Sequence, residues 1–358
     1  MIRVRQVTTN DEFERLGPTW NDLLGRSTDV YSTWEWLSCW WKHFGQRREL
    51  RVLVAEEDGK TMAIAPLMLS KRTLMNSVTV AKLEFIGGLE SDYNDFIWVE
   101  NGQECLNLFL KYLSELTDWD CIELTNVREN SLTASLLRHP HSDLMFEERV
   151  VFSCPYIELP TTVEEFMTTL SRDMRHQMRR KMRRLEETHG VNFKSHTEFS
   201  SIKEAMNQFF DLHEMRWRSR RKSDSFASGM MKTFQIELAE RFAKKGWLAL
   251  SFLTADDRSV AADYSFDYHE RRYGYQSGFD PDFGSYAVGT LLRMHNVESC
   301  IAKGLKEYDF TRGGEAYKLR WPIQVRRNLQ IRFARGGLIT RLRLLTKDAA
   351  LRLASKLH

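Results

Sequence analysis

The sequence predicts an α/β protein, because runs with strand character alternate with stretches of helical spacing along most of the chain. Three strand-like runs between residues 247 and 278 indicate a meander, so we expect a mixed, mostly antiparallel sheet flanked by helices. The 358 residues suit about two domains of ~150 residues each. We therefore divide the chain into residues 1–150, residues 151–336 and a separate basic helix at residues 337–358.

The clearest element of the first domain is a hairpin around Asp58-Gly59, a pair that favours a tight two-residue turn. Apolar runs at residues 51–56 and 62–69 flank this turn and predict its two strands. The remaining elements expected in this domain are strands at 83–86, 95–99 and 121–124 and a helix at 105–116.

The second domain begins near Cys154 with a strand, followed by a long charged helix over residues 162–188 that His189-Gly190 ends. The further elements expected are a strand at 191–199, helices at 201–221 and 230–245, meander strands at 247–254, 259–268 and 272–278, a helix at 287–303, and strands at 307–310 and 329–334.

Composition excludes several classes of protein. The net charge of +3 is too small to argue by itself for nucleic acid or membrane as the partner. The five cysteines are widely spaced without any C-x-x-C, so we expect no metal site, no disulfide framework and a reducing compartment. The N-terminus lacks the apolar core of a signal peptide, and no uncharged apolar run approaches the ~18 residues that span a bilayer. We therefore expect a cytoplasmic protein.

The most informative segment is YGYQSGFDPDFGSYAVGTLL, residues 273–292. A strand ends near Gly278, and a glycine-containing loop leads into a helix that begins at Ala287 or Val288. The first N–H groups of a helix have no intrahelical partner, so this corner could bind a phosphate, and Gly289 would let the ligand approach closely. The alternative is an ordinary strand–loop–helix connection.

A second segment, residues 308–321, places Asp309 at the end of a short strand before a Gly-Gly turn. A carboxylate at a strand end is a candidate general base, and Tyr317 or Lys318 could orient a substrate or donate a proton. The alternative is that Asp309 forms a structural ion pair with an arginine or lysine.

These segments resemble, in order along the chain, the CelD/BioF-like acetyltransferase family of the GNAT superfamily, which is related to the Fem-type aminoacyltransferases. The resemblance spans about residues 30–330. It is carried by Trp247-Leu248, Ala261, Tyr275-Gln276-Ser277-Gly278-Phe279-Asp280-Pro281, Gly289, Leu291-Leu292, Tyr308-Asp309-Phe310, Arg312-Gly313, Glu315, Tyr317-Lys318 and Trp321.

The resemblance implies a tandem GNAT-like fold, with an acyl-CoA donor bound in the second half and an amine acceptor bound between the halves. The sequence departs from the family's Q-x-x-G-x-G/A pattern, since Gln276, Ser277 and Gly278 are followed only later by Gly284 and Gly289. The expected donor-binding residues are Gln276, Ser277, Gly278, Ala287, Val288, Gly289 and Arg179. The expected substrate-binding residues are Arg175, Trp217, Tyr275, Asp95, Arg312 and Glu315.

The predicted helix at 162–188 carries a basic face. Arg172, Arg175, Arg179 and Arg183 recur at steps of three and four residues, so their charges repel unless an anion lies against them. Candidate anions are a cofactor phosphate, a nucleotide-linked sugar or an RNA backbone, and the alternative is a solvated helix face.

Three further features have two interpretations each. His213 and Trp217 share a face of the next helix, where His213 could be a base or could be structural. Asp95 belongs to a polar loop, SDYNDF, that could face the acceptor or form a simple turn. The C-terminal helix could lie on an anionic membrane surface, bind a partner or dock on its own protein.

We expect acyl transfer to an amine, with the proton removed by Asp309 or, second, by His213, and with Tyr317 and Lys318 beside the reaction centre. The family suggests acylation of an amino sugar of the envelope or an exopolysaccharide. One rival is a Fem-type aminoacyltransferase, which would bind charged tRNA. The other is a non-catalytic protein that holds an anionic saccharide or a membrane surface.

Overall fold

The described residues form two compact units, one of residues up to Phe152 together with those after Arg326, and the other of residues Ser153–Arg326. A computed structural model describes residues 1–25, 29–73, 79–99, 102–138, 144–219 and 226–335. The basic helix predicted at 337–358 lies outside the described residues. Among the described helices, none has both the length and the apolar character that crossing a bilayer requires.

The elements of the first unit alternate between strands and helices. In chain order they are β1 (Arg3–Val7), α1 (Asn10–Arg15), α2 (Gly17–Trp20), α3 (Trp34–Phe44), β2 (Arg48–Leu50), β3 (Val52–Glu57), β4 (Lys60–Ala65), β5 (Leu67–Thr73), β6 (Thr79–Phe85), β7 (Ile97–Trp98), α4 (Gly102–Glu115), β8 (Cys121–Arg128), α5 (Leu132–Leu137) and β9 (Leu144–Glu158), which continues into the second unit.

The second unit continues the same alternation. Its elements are α6 (Val163–Thr169), α7 (Arg172–Glu186), β10 (Val191–Ser195), α8 (Ile202–Ser219), α9 (Gly229–Lys244), β11 (Leu248–Ala255), β12 (Arg258–Tyr268), β13 (Arg271–Phe279), α10 (Val288–Ala302), β14 (Glu307–Asp309) and β15 (Gln324–Arg335), which returns to the first unit.

The strands build mostly antiparallel sheets, as the sequence predicts. In the first unit the orders are β1–β3–β4–β7 and β15–β8–β6–β5–β2, and among the described residues the β6–β8 pair is parallel and the other neighbouring pairs are antiparallel. In the described part of the second unit the order is β10–β11–β12–β13–β14–β9, with the β13–β14 pair parallel and the other pairs antiparallel. The predicted α/β class is confirmed.

Three predicted boundaries differ from the structure. The apolar run at 62–69 is two strands, because Pro66 cannot donate to a ladder and separates β4 from β5, which lie in different sheets. The long helix predicted at 162–188 breaks at Leu170, where the backbone is extended and the Ser171 hydroxyl accepts from Met174 N–H to cap α7. The strand predicted at 329–334 pairs with β8, so the chain returns to the first unit there.

A close contact between α8 and β13 sets the second unit's geometry. A Cβ atom on Gly278 would lie 2.3 Å from the backbone nitrogen of His213 and 2.5 Å from the carbonyl carbon of Leu212. Only glycine therefore allows α8 to lie this close to the sheet. Gly278 has a packing role, rather than the donor-binding role expected from the sequence.

We predict that Gly278→Ala lowers the free energy of unfolding by about 3 kcal/mol, because the new methyl group meets helix backbone that cannot rotate away. Gly289→Ala is the control, since its Cβ would lie 3.7 Å from the Phe279 ring, an ordinary contact. In a helix this second change should cost nothing or gain up to about 1 kcal/mol. Urea unfolding of both variants measures the difference, and equal midpoints would contradict the close contact.

Candidate functional site

The sheet of the second unit opens where β14 leaves β13. The two strands pair over only three residue pairs, the last of which is Tyr273 with Asp309. After β14 the chain turns through Thr311, which has φ 56° and donates its hydroxyl to the Gly274 carbonyl at 3.1 Å. No described strand pairs with this edge of β13 beyond Tyr273. The rest of β13 therefore presents an open edge.

Backbone groups of Ser277 and Phe279 point out of this open edge. The Asp280 N–H donates to the Val260 carbonyl at 2.9 Å, and bonded and non-bonded pairs alternate along an antiparallel ladder. Ser277 and Phe279 consequently occupy non-bonded positions relative to β12. A hydrogen bond from Arg216 is consistent with this register: its Nη1 donates to the Ser277 carbonyl at 2.7 Å, so this carbonyl does not face β12.

A β-bulge lies where the open edge begins. Tyr264 pairs with Gln276 while the next residue, Ser265, pairs with Gly274, so Tyr275 is an extra residue on β13. The Tyr275 ring is buried, and its hydroxyl accepts from the Gln235 amide at 3.2 Å. Tyr275 therefore packs inside the unit and does not present its side chain as the expected substrate contact.

The start of α10 lies after a 3₁₀ turn at Pro281–Tyr286. Ala287 adopts the left-handed conformation with φ 57° and ψ 39°, and helical bonds begin with the Thr290 and Leu291 N–H groups, which donate to the Ala287 carbonyl. The Val288 and Gly289 N–H groups have no hydrogen-bond partner among the described residues. They form the positive end of a helix of 15 residues.

A pocket of about 190 Å³ joins the open edge to the start of α10. Two of its lining residues are cationic and none is acidic. The lining residues are Arg216, Ser277, Phe279, Gly284, Ala287, Val288, Gly289, Thr290, Arg293 and Tyr317. This arrangement favours an anionic ligand that reaches from the helix start along the strand edge.

Two buried arginines converge on Ser277. Arg216 Nη1 donates to the Ser277 hydroxyl oxygen at 2.7 Å, and Arg293 Nη2 donates to the same oxygen at 3.3 Å. Arg293 also pairs with the buried Asp263 at 3.2 Å. Because guanidinium groups stay protonated in proteins, the pocket is lined by permanent positive charge.

Of the four residues expected to be catalytic, Tyr317 lines the pocket. The Arg293 guanidinium lies 4.8 Å and the Arg216 guanidinium 6.0 Å from the centre of its ring. These distances are within the range of cation–π attraction, so both arginines hold the ring in place.

The structure assigns Asp309 and Lys318 to the framework, against the sequence-based expectation. Asp309 is fully buried; it accepts from Thr311 N–H at 2.7 Å and pairs with Arg326 at 2.9 Å. Lys318 is buried, and its ammonium group donates to the carbonyls of the turn, including Arg312 at 2.8 Å and Gly313 at 3.3 Å. Both side chains use their charge to fix the turn after β14, and neither lines the pocket.

His213 and Trp217 contact each other, as their spacing predicts. The indole N–H of Trp217 donates to His213 Nε2 at 2.8 Å, and His213 is fully buried against the ring of Phe226. This contact and the burial favour a structural role for His213, and its role as a base stays a prediction. Gln276 Oε1 lies 3.4 Å from the same nitrogen, outside the pocket lining.

The arginines of α7 do not act as one set. Arg175 donates to the carbonyls of Met167 and Leu170, both at 2.8 Å, and so caps the end of α6 instead of facing a substrate. Arg179 is exposed on the outer face of α7. Lys181 donates to the Ser285 carbonyl and thereby ties α7 to the turn before α10.

Arg312 and Glu315 belong to the turn that Lys318 holds. Glu315 pairs with Lys318 at 2.9 Å; burial alone would raise the pKa of Glu315, but this ion pair outweighs burial and lowers it. Arg312 contributes its backbone carbonyl to the same ammonium group. The two residues expected to bind substrate lie outside the pocket lining.

Asp95 lies in the first unit, where it accepts from Phe96 N–H at 2.8 Å and from the Thr133 hydroxyl. Burial raises its pKa to about 7, although both hydrogen bonds favour the ionised form. The expected role in substrate binding stays a prediction.

Five pocket residues were not assigned to the site from the sequence. They are Arg216, Phe279, Gly284, Thr290 and Arg293. One signal was available, since Arg293 is a cation within the otherwise apolar run TLLRM and such a cation requires a partner. Arg216 gave no such signal, because charged neighbours surround it in HEMRWRSR.

Residues 172–319 match the family model described as an acetyltransferase (GNAT) domain. This segment contains every residue that lines the pocket. No curated protein sequence matches the chain.

Solved structures match the fold of almost the whole chain. FemX aligns with a TM-score of 0.61 at 11% identity, over 92% of this chain and 96% of that chain. A conserved protein of unknown function from Bacteroides thetaiotaomicron VPI-5482 gives 0.55 at 11% identity, over 94% and 100%. A tandem GNAT protein from the clavulanic acid biosynthesis pathway gives 0.50 at 10% identity, over 94% and 100%. The predicted tandem GNAT-like fold is therefore confirmed.

We predict that Asp95 makes stability fall as the pH rises from about 4 to about 7. In this window the folded protein keeps the Asp95 proton, whereas the unfolded chain, with a pKa of ~3.9, has released it. The stabilisation is fully present below pH ~4, and the total loss by pH 7 is about 4 kcal/mol. Urea unfolding between pH 4.5 and 8 measures it, with Asp95→Asn as the reference that lacks the group. Parallel profiles for the two proteins would contradict the raised pKa.

Proposed function

We propose that this protein is an N-acyltransferase of the CelD/BioF-like group that takes an acyl group from acyl-CoA and transfers it to an amine. The acceptor in this proposal is a small molecule or an amino sugar of the envelope or a polysaccharide. The observation that carries the proposal is the continuity of one pocket from the unpartnered N–H groups of Val288 and Gly289 to the open edge of β13. The GNAT domain match over the same residues supports it.

The donor would bind along this continuous surface. Its diphosphate suits the positive start of α10, where the Val288 and Gly289 N–H groups can donate. Its pantetheine arm carries two amide groups. The outward-facing Ser277 N–H and the backbone groups of Phe279 offer hydrogen bonds of the kind that a neighbouring strand would make. This route directs the thioester towards the bulge at Tyr275, where β13 and β14 separate.

In the transfer step the amine nitrogen attacks the thioester carbonyl carbon, and the C–S bond then breaks. In this proposal the Tyr317 hydroxyl gives its proton to the departing sulfur, and the positive charge of Arg216 and Arg293 stabilises the negative charge that develops. All three residues line the pocket, which supports these roles. None of the described lining residues is a carboxylate or a histidine. The amine proton therefore leaves through water, and that water returns a proton to Tyr317.

We predict that acetyl-CoA or a longer acyl-CoA raises the thermal unfolding midpoint. A ligand at 100 times its Kd stabilises the folded state by about 2.7 kcal/mol, which corresponds to a shift of several degrees. Gly289→Leu should abolish most of this shift, because its side chain extends from the start of α10 into the pocket.

The matched control is Gly229→Leu. Gly229 also begins a helix, α9, and a Cβ there would meet no atom within 4 Å, but Gly229 does not line the pocket. This variant should keep the full shift. If both variants lose the shift equally, or if no acyl-CoA produces one, the proposed donor site is wrong.

A second candidate is transfer from aminoacyl-tRNA, which the exposed basic face of α7 favours. Arg179, Arg180, Arg183 and Arg184 are exposed there, with no acidic residue between positions 174 and 185. An RNA backbone would contact such a face and release counterions. A flat response to every acyl-CoA, together with tRNA binding that weakens steeply with salt, would favour this candidate over acyl-CoA.

We predict that Asp309→Asn acts mainly on stability. The substitution leaves the Arg326 charge with less compensation, and breaking a buried ion pair costs about 3 kcal/mol. At a temperature where the variant is folded, its acyl transfer rate should stay within tenfold of the parent. A rate more than 100-fold lower in a variant of unchanged stability would restore Asp309 as the general base.

A further inference from the structure

We propose that the pocket contains a carboxylate subsite formed by Arg216, Arg293 and Ser277, so that either the transferred acyl group or the amine acceptor carries a carboxylate. This inference rests on the proposed acyl transfer and adds a substrate class to it. Its ligand chemistry is distinct from the phosphate chemistry at the start of α10.

The burial of the two arginines is the first argument. Arg216 is 6% and Arg293 8% exposed, and both line the pocket. Taking the Arg293 guanidinium out of water is costly unless anions lie close to it. Asp263 supplies one carboxylate to Arg293, on a single contact of 3.2 Å, and it does not line the pocket.

The second argument is the hydrogen bonding of Ser277. Its hydroxyl oxygen accepts from both arginines, so its own proton must be donated elsewhere. No acceptor for that proton is present among the described residues. A carboxylate oxygen in the pocket would accept it and would complete a set of three donors around one anion.

The third argument concerns shape. Phe279 lies 5.6 Å from the Arg216 guanidinium, and Tyr317 lies 4.8 Å from that of Arg293, both measured to the ring centre. Rings that cover the flat faces of guanidinium groups leave the edges for hydrogen bonds, and the edge of a guanidinium matches the two oxygens of a planar carboxylate. The subsite therefore offers the two oxygens of a carboxylate a paired N–H edge. Such an edge also accepts a phosphate, and the comparison of succinyl-CoA with acetyl-CoA distinguishes the two anions.

The helix geometry separates this subsite from the phosphate site. Arg293 follows Val288 by five positions, which at ~1.5 Å per residue places its Cα about 7.5 Å further along α10. A diphosphate at the first N–H groups and a carboxylate beside Ser277 can consequently be bound together. The carboxylate has two possible sources, the far end of a dicarboxylic acyl group or the carboxylate of an amino acid acceptor.

The experiment measures binding to the full chain by calorimetry with two matched pairs of probes. Succinyl-CoA against acetyl-CoA tests the acyl source, and alanine against alaninamide, each with and without CoA, tests the acceptor source. We expect the carboxylate member of one pair to bind about 10- to 100-fold more tightly than its partner, since hydrogen bonds to charged groups have this strength.

Substitutions test whether Arg293 and Ser277 cause the preference for the carboxylate-bearing probe. Arg293→Gln should reduce the ratio of the two affinities to less than threefold, and Ser277→Ala should lower this ratio as well. Arg272→Gln is the matched control, because Arg272 is equally buried and is paired with Asp267 but does not line the pocket. Its preference should remain that of the parent even if its stability falls. Should Arg293→Gln fail to fold, Ser277→Ala decides.

The outcomes distinguish this inference from the proposed function. Acetyl-CoA binding without any carboxylate preference overturns the subsite alone. An equal loss of affinity for both acyl-CoAs in Arg293→Gln means that Arg293 binds the donor's phosphates, and this also overturns it. If no acyl-CoA binds, the proposed function fails, and the alanine pair measured without CoA then determines whether a carboxylate subsite exists.

Discussion

The separation of β14 from β13 after three residue pairs is the constraint on which the rest of the second unit depends. Had the ladder continued, the backbone groups of Ser277 and Phe279 would bond to a strand, and no pocket would lie beside the start of α10. The separation is enforced by the turn after β14, where Thr311 has a positive φ that is uncommon for a β-branched residue. Asp309 and Lys318 hold that turn from its two sides. The two charged residues that the sequence suggested for chemistry therefore stabilise the turn beside the open edge.

Most of the features that the sequence predicts correctly depend on residues that are close together in the chain. The strand–loop–helix corner at Ala287, Val288 and Gly289 follows from short-range rules, because a helix start always leaves N–H groups without partners and glycine-rich loops turn sharply. The hairpin at Asp58-Gly59 follows for the same reason, and both residues have the positive φ that such a turn requires. These features need no knowledge of which strands are neighbours.

The remaining features depend on neighbours that are distant in the sequence. Arg216 reaches Ser277 across 61 positions, and Asp309 meets Arg326 across 17, so neither pair shows in any local pattern. A carboxylate at a strand end is compatible with catalysis or with an ion pair, and the sequence alone does not distinguish the two. Asp309 is fully buried and paired with Arg326, which favours the framework role. Tyr317 lines the pocket, and its catalytic role stays a prediction.

The interpretation of the arginines on α7 changes once their contacts are known. From the sequence, the repulsion among its arginines was one effect that a single bound anion would relieve. In the structure Arg175 is bonded to the end of α6, and Arg184 lies 5.2 Å from the Tyr286 ring. Lys181 holds the turn that precedes Ala287. Part of this positive charge consequently positions the turn leading to the helix start where the donor would bind. The arginines that remain exposed on α7 form the surface that a longer anion, such as an RNA backbone, would contact. Salt dependence therefore separates the two roles. Salt weakens interactions at the exposed face, where the Debye length is ~8 Å at physiological ionic strength, much more than it weakens contacts made inside the protein.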